Sequence, residues 1–214
     1  MSSPASTREQ HRPRESRRGE PTWEISDLYP HQGTWSEEEY LALDTNHLIE
    51  YVDGCLEFPP MPGLFHQKIV RFLFRLLDAF VLARALGEVH FAPLWIRVAP
   101  KKIRELDIVF LRPHRLGELH TPVHGADLAV EVVSDDPAAR KRDLQTKRRE
   151  YARAGIQEYW IVDPQKQVIT VLTLKGKTYR KHGSFTACTR ATSVLLAGFS
   201  VPVDEVFAAG GIKT

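Results

Sequence analysis

Residues 126–136 read ADLAVEVVSDD. Leu128 to Ser134 have the composition of a short strand buried on both faces, and acidic residues bound it on either side. Glu131 stands in the middle of that run. A lone carboxylate in such a place is costly unless it is neutralised, paired with a cation or bound to a metal. Whatever balances Glu131 therefore bears on the fold and on the chemistry together.

The neighbouring segments supply the frame. ELDIVFLR (105–112) is a strand that carries Asp107 ahead of an equally apolar run. Pro137 opens a helical stretch that reaches Ala154, with Gly155 as its stop, and EYWIVDP is a further strand ended by Pro164. That helix is long enough to be the crossover between the Glu131 strand and EYWIV, which makes the pair parallel and right-handed. Upstream, EVHFAPLWIRVA (88–99) reads as one strand. Before it, Ile69, Leu73, Leu76, Leu77 and Phe80 recur at helical spacing from His66 to Leu86, with Gly87 as a stop. The order helix, three strands, crossover helix, strand predicts an α/β domain with a mixed sheet flanked by helices.

The remaining segments decorate this core. Ser36 and Glu39 in TWSEEEYLAL form a capping-box signature for a short helix. IEYVDGCLEF predicts a hairpin about Asp53-Gly54, and VITVLTL with KTYRKH a second about Lys175-Gly176. PPMPG reads as a loop, and SVLLAGFSVPVDEVF as a short strand with loop. Residues 1–22 hold almost nothing to bury and are expected to form a disordered tail. The domain is expected to span 23–207, with 208–214 as a flexible C-terminal tail.

The bulk numbers narrow the classes. The chain has 214 residues, of which 43% are hydrophobic, enough for one domain with a real core. A net charge of +2 means that any nucleic-acid footprint has to be local. Cys55 and Cys188 lack CxxC spacing, which argues against a disulfide framework or zinc cluster and for a reducing, cytoplasmic setting. No run approaches the roughly 18 apolar residues of a membrane span, and the polar N-terminus is not a secretory signal.

Pairing the Asp107 and Glu131 strands brings both acids onto one patch. Two close carboxylates repel unless a cation sits between them, and hard oxygen ligands in small number suit Mg²⁺ or Mn²⁺. Asp143, Lys147 and Tyr151 are spaced i, i+4, i+8 and share one helix face. Lys147 is thus expected to lean toward Glu131, where it would orient a metal-bound water or steady charge on a phosphoryl group. A buried ion pair of Glu131 and Lys147 is the purely structural alternative. Glu50, at the start of the first hairpin, is a candidate third oxygen ligand, and His66 a candidate to touch phosphate or assist a water. Arg140, Lys141, Arg142 and Arg148 on the crossover helix are candidate nucleic-acid contacts, as they are candidates for an ordinary solvated face. Neither helix-turn-helix nor zinc-finger spacing is present.

Asp107 followed by Glu131 in this element order resembles the PD-(D/E)xK nuclease pattern. More closely, AVEVVSDD, then Asp143, Lys147 and Tyr151, then AGIQEYWIVDP resemble the Uma-two family of restriction endonuclease-like proteins, from about Trp35 to Phe207. EYVDGCLEF followed by His66 is similar to that family's N-terminal signature. The resemblance implies a restriction endonuclease-like core and a metal-dependent endonuclease acting on DNA. Asp107 and Glu131 would hold Mg²⁺ or Mn²⁺. Lys147 would replace the lysine of the motif, moved to the helix because Val133 occupies its usual place. Glu50 would match the N-terminal acid of the superfamily, and His66, Asp143 and Tyr151 further signature positions. Leu106 stands where a proline often precedes the aspartate, and Asp135-Asp136 follows Ser134 where proline is more usual. A homodimer would suit cutting of both strands. A non-catalytic nucleic-acid-binding or assembly module on the same fold is the competing expectation.

Overall fold

The structure is a computed structural model that describes residues 17–18, 28–45, 47–118 and 120–211. Nearly all of the expected N-terminal tail lies outside the described residues, as do residues 212–214. In chain order the chain forms α1 (Glu37–Leu41), β1 (Glu50–Val52), β2 (Cys55–Glu57) and α2 (Leu64–Leu82). Then follow β3 (Glu88–Phe91), β4 (Trp95–Ala99), β5 (Lys102–Glu105), β6 (Ile108–Leu111), β7 (Val123–His124) and β8 (Leu128–Val132). The crossover consists of α3 (Pro137–Lys141), a π-helical segment (Arg142–Lys147) and α4 (Arg148–Arg153). It leads into β9 (Glu158–Asp163), β10 (Val168–Lys175), β11 (Thr178–Phe185), β12 (Arg190–Thr192), β13 (Ser200–Pro202) and α5 (Val203–Gly210).

The large sheet has the order β11-β10-β9-β8-β6-β3. β8 lies in its interior, antiparallel to β6 and parallel to β9, as the crossover requires. Every residue of β8 and of β9 is buried. On one face Leu128, Val130 and Val132 pack with Ile69, Leu73 and Leu77 of α2. On the other, Ala129 and Val133 pack with Tyr151 and Ala152 of α4. This double burial explains why the β8 sequence is continuously apolar rather than alternating. The fold is a mixed α/β arrangement with helices on both faces of a mixed sheet.

Both expected hairpins form, about Asp53-Gly54 and Lys175-Gly176. The capping box also forms, with the Ser36 hydroxyl accepting from the Glu39 amide at 3.1 Å and the Ser36 amide donating to the Glu39 carboxylate at 2.8 Å. Three readings need correction. EVHFAPLWIRVA is two strands: β3 pairs with β6 in the large sheet, whereas β4 joins a second sheet of order β2-β1-β5-β4-β7. Pro93 lies at the break, where it can supply no ladder amide. ELDIVFLR is not one strand either: Glu105 ends β5, a strand of the second sheet without an apolar run to announce it, and β6 begins only at Ile108, so Asp107 lies between the two. Finally, the C-terminal segment, read as short strand with loop, ends in α5, which packs on α2 through Val203, Val206 and Phe207.

Gly87, between α2 and β3, has φ +146°, and a Cβ there would stand 2.1 Å from the Leu111 carbonyl oxygen. The backbone of β3 approaches β6 closely because no side chain intervenes. Gly87→Ala should therefore cost about 2 kcal/mol or more. That corresponds to a fall of roughly 4–8 °C in Tm, measured by thermal unfolding; an unchanged midpoint would refute the close-approach role.

Candidate active site

The period of the strands decides which residues meet. Val109 and Leu111 of β6 share a core with Ala129 and Val133, on the face covered by the crossover. By alternation Asp107 and Glu131 belong to that same face. The β6–β8 register pairs Ile108 with Val130, so one further step sets Asp107 opposite Glu131. Asp107 lies just past the end of the ladder and closes it with its side chain: its Oδ2 accepts from the Val132 amide at 2.7 Å.

The crossover supplies the cation. Lys147 Nζ lies 3.0 and 3.1 Å from the two Glu131 carboxylate oxygens. The Tyr151 hydroxyl donates to Glu131 Oε1 at 2.5 Å. Asp143 Oδ1 is 3.4 Å from Lys147 Nζ, and Glu50 Oε1 3.7 Å. Asp143 and Lys147 both lie on the π-helical segment, a wider turn than the α-helix expected over this stretch. That geometry is rare and recurs at functional sites. Here it keeps both side chains over the sheet while Tyr151, in the α-helical turn that follows, reaches the same carboxylate.

His66 approaches from the start of α2. Its Nε2 stands 3.1 Å from Asp107 Oδ2 and 3.2 Å from the Val132 carbonyl oxygen, while its Nδ1 is buried without a partner. Burial works against the imidazolium, but the hydrogen bond and charge of Asp107, with Glu131 beyond, outweigh it and raise the His66 pKa.

The sequence offered no sign of Arg104. This residue of β5 is 1% exposed. It donates to Glu50 at 2.7 Å, to Glu57 at 2.6 Å and to Glu150 at 3.0 and 3.2 Å. It thereby ties the hairpin of the small sheet to α4, and it meets the charge of Glu50. The only signal for it would have been a basic residue between apolar neighbours in KKIREL, which reads equally well as surface. Glu105 is a second omission. It lines the same cleft, its Oε2 is buried without a hydrogen bond, and burial together with Glu50 pushes its pKa up to about 7.

A cleft of about 460 Å³ opens beside these groups. Glu50, Glu105, Asp107, Glu131, Asp135 and Asp143 face Arg142, Lys147 and His66 across it. Burial raises the Glu131 and Asp143 pKa values, and Asp107 adds to both shifts. Burial likewise opposes the Lys147 charge, but Glu131, Glu50, Asp143 and Asp107 together hold the ammonium above its ordinary pKa. An ammonium touching both Glu131 oxygens favours the ionised carboxylate. The upward pull on Glu131 comes from burial first, with Asp107 and Asp143 adding to it, while by count the six acids lining the cleft outnumber its three basic groups.

That surplus is the observation against which a metal is tested. Among the described residues no three His, Cys, Asp or Glu side chains form a group able to cage an ion. Mg²⁺ does not require one, since it usually keeps several waters and takes one or two carboxylates. Asp107 and Glu131, with the Val132 carbonyl beside Asp107, offer hard oxygens of that kind, and the excess negative charge suits a divalent cation. The residues fit.

The candidate nucleic-acid contacts separate. Arg142 lines the cleft and its Nε is buried without a partner. Lys141 and Arg148 are exposed. Arg140 is committed to an ion pair with both Asp163 oxygens, which fastens α3 to the end of β9. Among the described residues, no helix is long and apolar enough to cross a membrane. Both cysteines are free, Cys55 half-buried and Cys188 exposed.

Comparison with known proteins agrees with this architecture. No curated protein matches the chain. Among solved structures, a crystal structure titled as a putative nuclease belonging to DUF820 from Anabaena variabilis has a TM-score of 0.68 at 17% identity. The match covers 81% of this chain and 97% of that one, and at this identity it speaks for a shared fold. The family model Uma2, described as "Putative restriction endonuclease", matches residues 37–204, from the first turn of α1 to the first turn of α5. By that match, which takes in every residue of the cleft named above, the chain belongs to the Uma2 family.

Proposed function

We propose that the protein is a metal-dependent endonuclease that hydrolyses phosphodiester bonds of DNA. One observation carries this reading: Asp107, Glu131 and Lys147, from two adjacent core strands and the crossover, converge in one cleft whose acids exceed its cations. Membership of a family described as "Putative restriction endonuclease" supports the reaction class.

In this reading Asp107 and Glu131 hold Mg²⁺ or Mn²⁺, with the Val132 carbonyl as a neighbouring oxygen. The ion would acidify a bound water and offset charge on the phosphate. The chain's own groups do the rest. Lys147 donates to the charge that develops on the phosphoryl oxygens. Tyr151 fixes the Glu131 carboxylate, and Asp143 and Glu50 fix the Lys147 ammonium between them. His66 orients Asp107 through Oδ2. Arg142, with its free Nε in the cleft wall, receives a phosphate oxygen, and Lys141 and Arg148 add exposed charge along the same helix. Arg140 braces α3 and takes no part in binding.

A second reading has its own support. Glu131 is already met by Lys147 and Tyr151, and Glu50 by Arg104, so these two buried acids are paired without any ion. A binding or assembly module on this fold would need no more. Calorimetric titration with Mn²⁺ separates the two. The nuclease reading expects one saturable binding event that Asp107→Asn abolishes; no heat from folded wild-type protein would favour the module.

Two substitutions test the roles. Glu131→Gln should lower plasmid cleavage in Mg²⁺ by more than about 100-fold, since loss of an outer-shell group alone costs 10–100-fold, with the circular-dichroism spectrum unchanged. Wild-type cleavage by this variant would rule out the assignment. Lys147→Met should reduce the single-turnover rate by about 10²–10³-fold and leave Mn²⁺ binding measurable. A rate within a few-fold of wild type would make Lys147 a structural cation only.

A further inference from the structure

A second cleft, of about 580 Å³, adjoins the first, and Leu48, Pro93 and Glu105 line both. Its volume falls in the range of sites that hold small organic groups, roughly 300–1,000 Å³. Trp95 and Glu105 face each other directly across the β4–β5 ladder. Directly opposed residues carry their side chains on the same face of the sheet, with Cβ atoms about 5 Å apart. An indole and a carboxylate thus stand side by side in one cleft wall.

Each has something unspent. Trp95 is half-buried, and its ring centroid lies 5.9 Å from that of Tyr40 at an interplanar angle of 53°, which leaves part of its surface to the cleft. Glu105 Oε2 is buried yet accepts no hydrogen bond. Buried acceptors in folded proteins are nearly always satisfied, so an unmet one beside a cleft marks where a donor is to come from. The charged groups closest to it in sequence and register do not serve: Arg104 is engaged by Glu50, Glu57 and Glu150, and Lys147 by Glu131. At the outer rim, His47 and His120 are exposed.

A ligand that completes this wall brings a flat face for the indole and an N–H donor at its edge for the carboxylate. An unpaired nucleobase with an exocyclic amino group does both: bases stack on aromatic side chains, and Glu accepts from the cytosine amino group. Thymine and uracil turn a carbonyl to the carboxylate where cytosine turns its amino group. Position argues the same way. Glu105 and Asp107 are two residues apart, so their Cα atoms are separated by at most about 7 Å. A base held at Glu105 is the immediate neighbour of a phosphate at Asp107.

We propose that the cleft bounded by Trp95 and Glu105 is a subsite for one unpaired, amino-bearing nucleobase flanking the scissile phosphate. This rests on the nuclease reading for what the strand is doing there, and it adds a preference for a base out of its stack, in single-stranded or locally opened nucleic acid.

The test is equilibrium binding of 5′-labelled pentamers to the full chain by fluorescence anisotropy, in EDTA so that no turnover intervenes. Oligo-dC should bind about tenfold more tightly than oligo-dT. In Glu105→Gln the amide both accepts and donates, so thymine is accommodated and the preference should narrow to below about threefold. Trp95→Phe keeps an aromatic face and should retain the preference while losing the quench of tryptophan fluorescence that oligo-dC causes in the wild type. Equal binding of the two pentamers by wild type, or an unaltered preference in Glu105→Gln, overturns the subsite. Oligo-rC tells whether the strand is DNA or RNA. Cytidine monophosphate binding as tightly as the pentamer would overturn the flanking placement in favour of a free nucleotide. Base preference without plasmid cleavage would sink the nuclease reading and keep the pocket; cleavage without base preference would do the reverse.

Discussion

Glu131 can occupy the middle of β8 because Lys147 reaches it from the crossover. An unpaired carboxylate there would be discharged or expelled, and removal of one partner from a buried pair typically costs about 3–5 kcal/mol. The requirement fixes several things together. The helix between β8 and β9 has to return across the face of the sheet that holds Glu131, which makes the strand pair parallel. The π-helical segment has to set Asp143 and Lys147 over that face. Tyr151 has to lie buried, 0% exposed, with its hydroxyl directed at the same oxygen. A change at any of these points leaves a charge in the core without its counterpart.

Arg104 plays the corresponding part for the small sheet. It draws Glu50, Glu57 and Glu150 together from β1, β2 and α4, and with Lys102 paired to Asp53 it holds the N-terminal hairpin against the crossover. The two cations have unequal surroundings. Arg104 is enclosed by acids that it satisfies at hydrogen-bond distance. Lys147 faces more acids than it can meet at that distance, and burial, with Asp107 adding to it, lifts Glu131 and Asp143. A structural ion pair by itself has no need of Asp107 beside it, nor of a histidine set between Asp107 and the Val132 carbonyl.

Much of this was legible locally. The β8 run, the helical face shared by Asp143, Lys147 and Tyr151, the Asp53-Gly54 and Lys175-Gly176 turns and the Ser36–Glu39 cap depend on periods of two or 3.6 residues and on near neighbours, so the order of residues is enough to see them. The break of residues 88–99 at Pro93 was also written in the chain, but the apolar residues on both sides concealed it. Strand β5 and helix α5 had weaker signals. Lys102–Glu105 alternates charge with a single buried isoleucine, and α5 follows Pro202 with no side-chain hydrogen bond at its cap.

What the sequence by itself determined is a central acidic strand, a crossover with a lysine on its inner face, and a second acid on the preceding strand. Tertiary structure alone decided which partner each charge takes. Arg104 meets Glu50 across 54 residues of chain, His66 meets Asp107 across 41, and the 105–107 segment joins two sheets that local pattern had merged into one. Such contacts follow from which faces of distant elements are packed together. Periodicity along the chain states which face a residue is on, but not what will cover it.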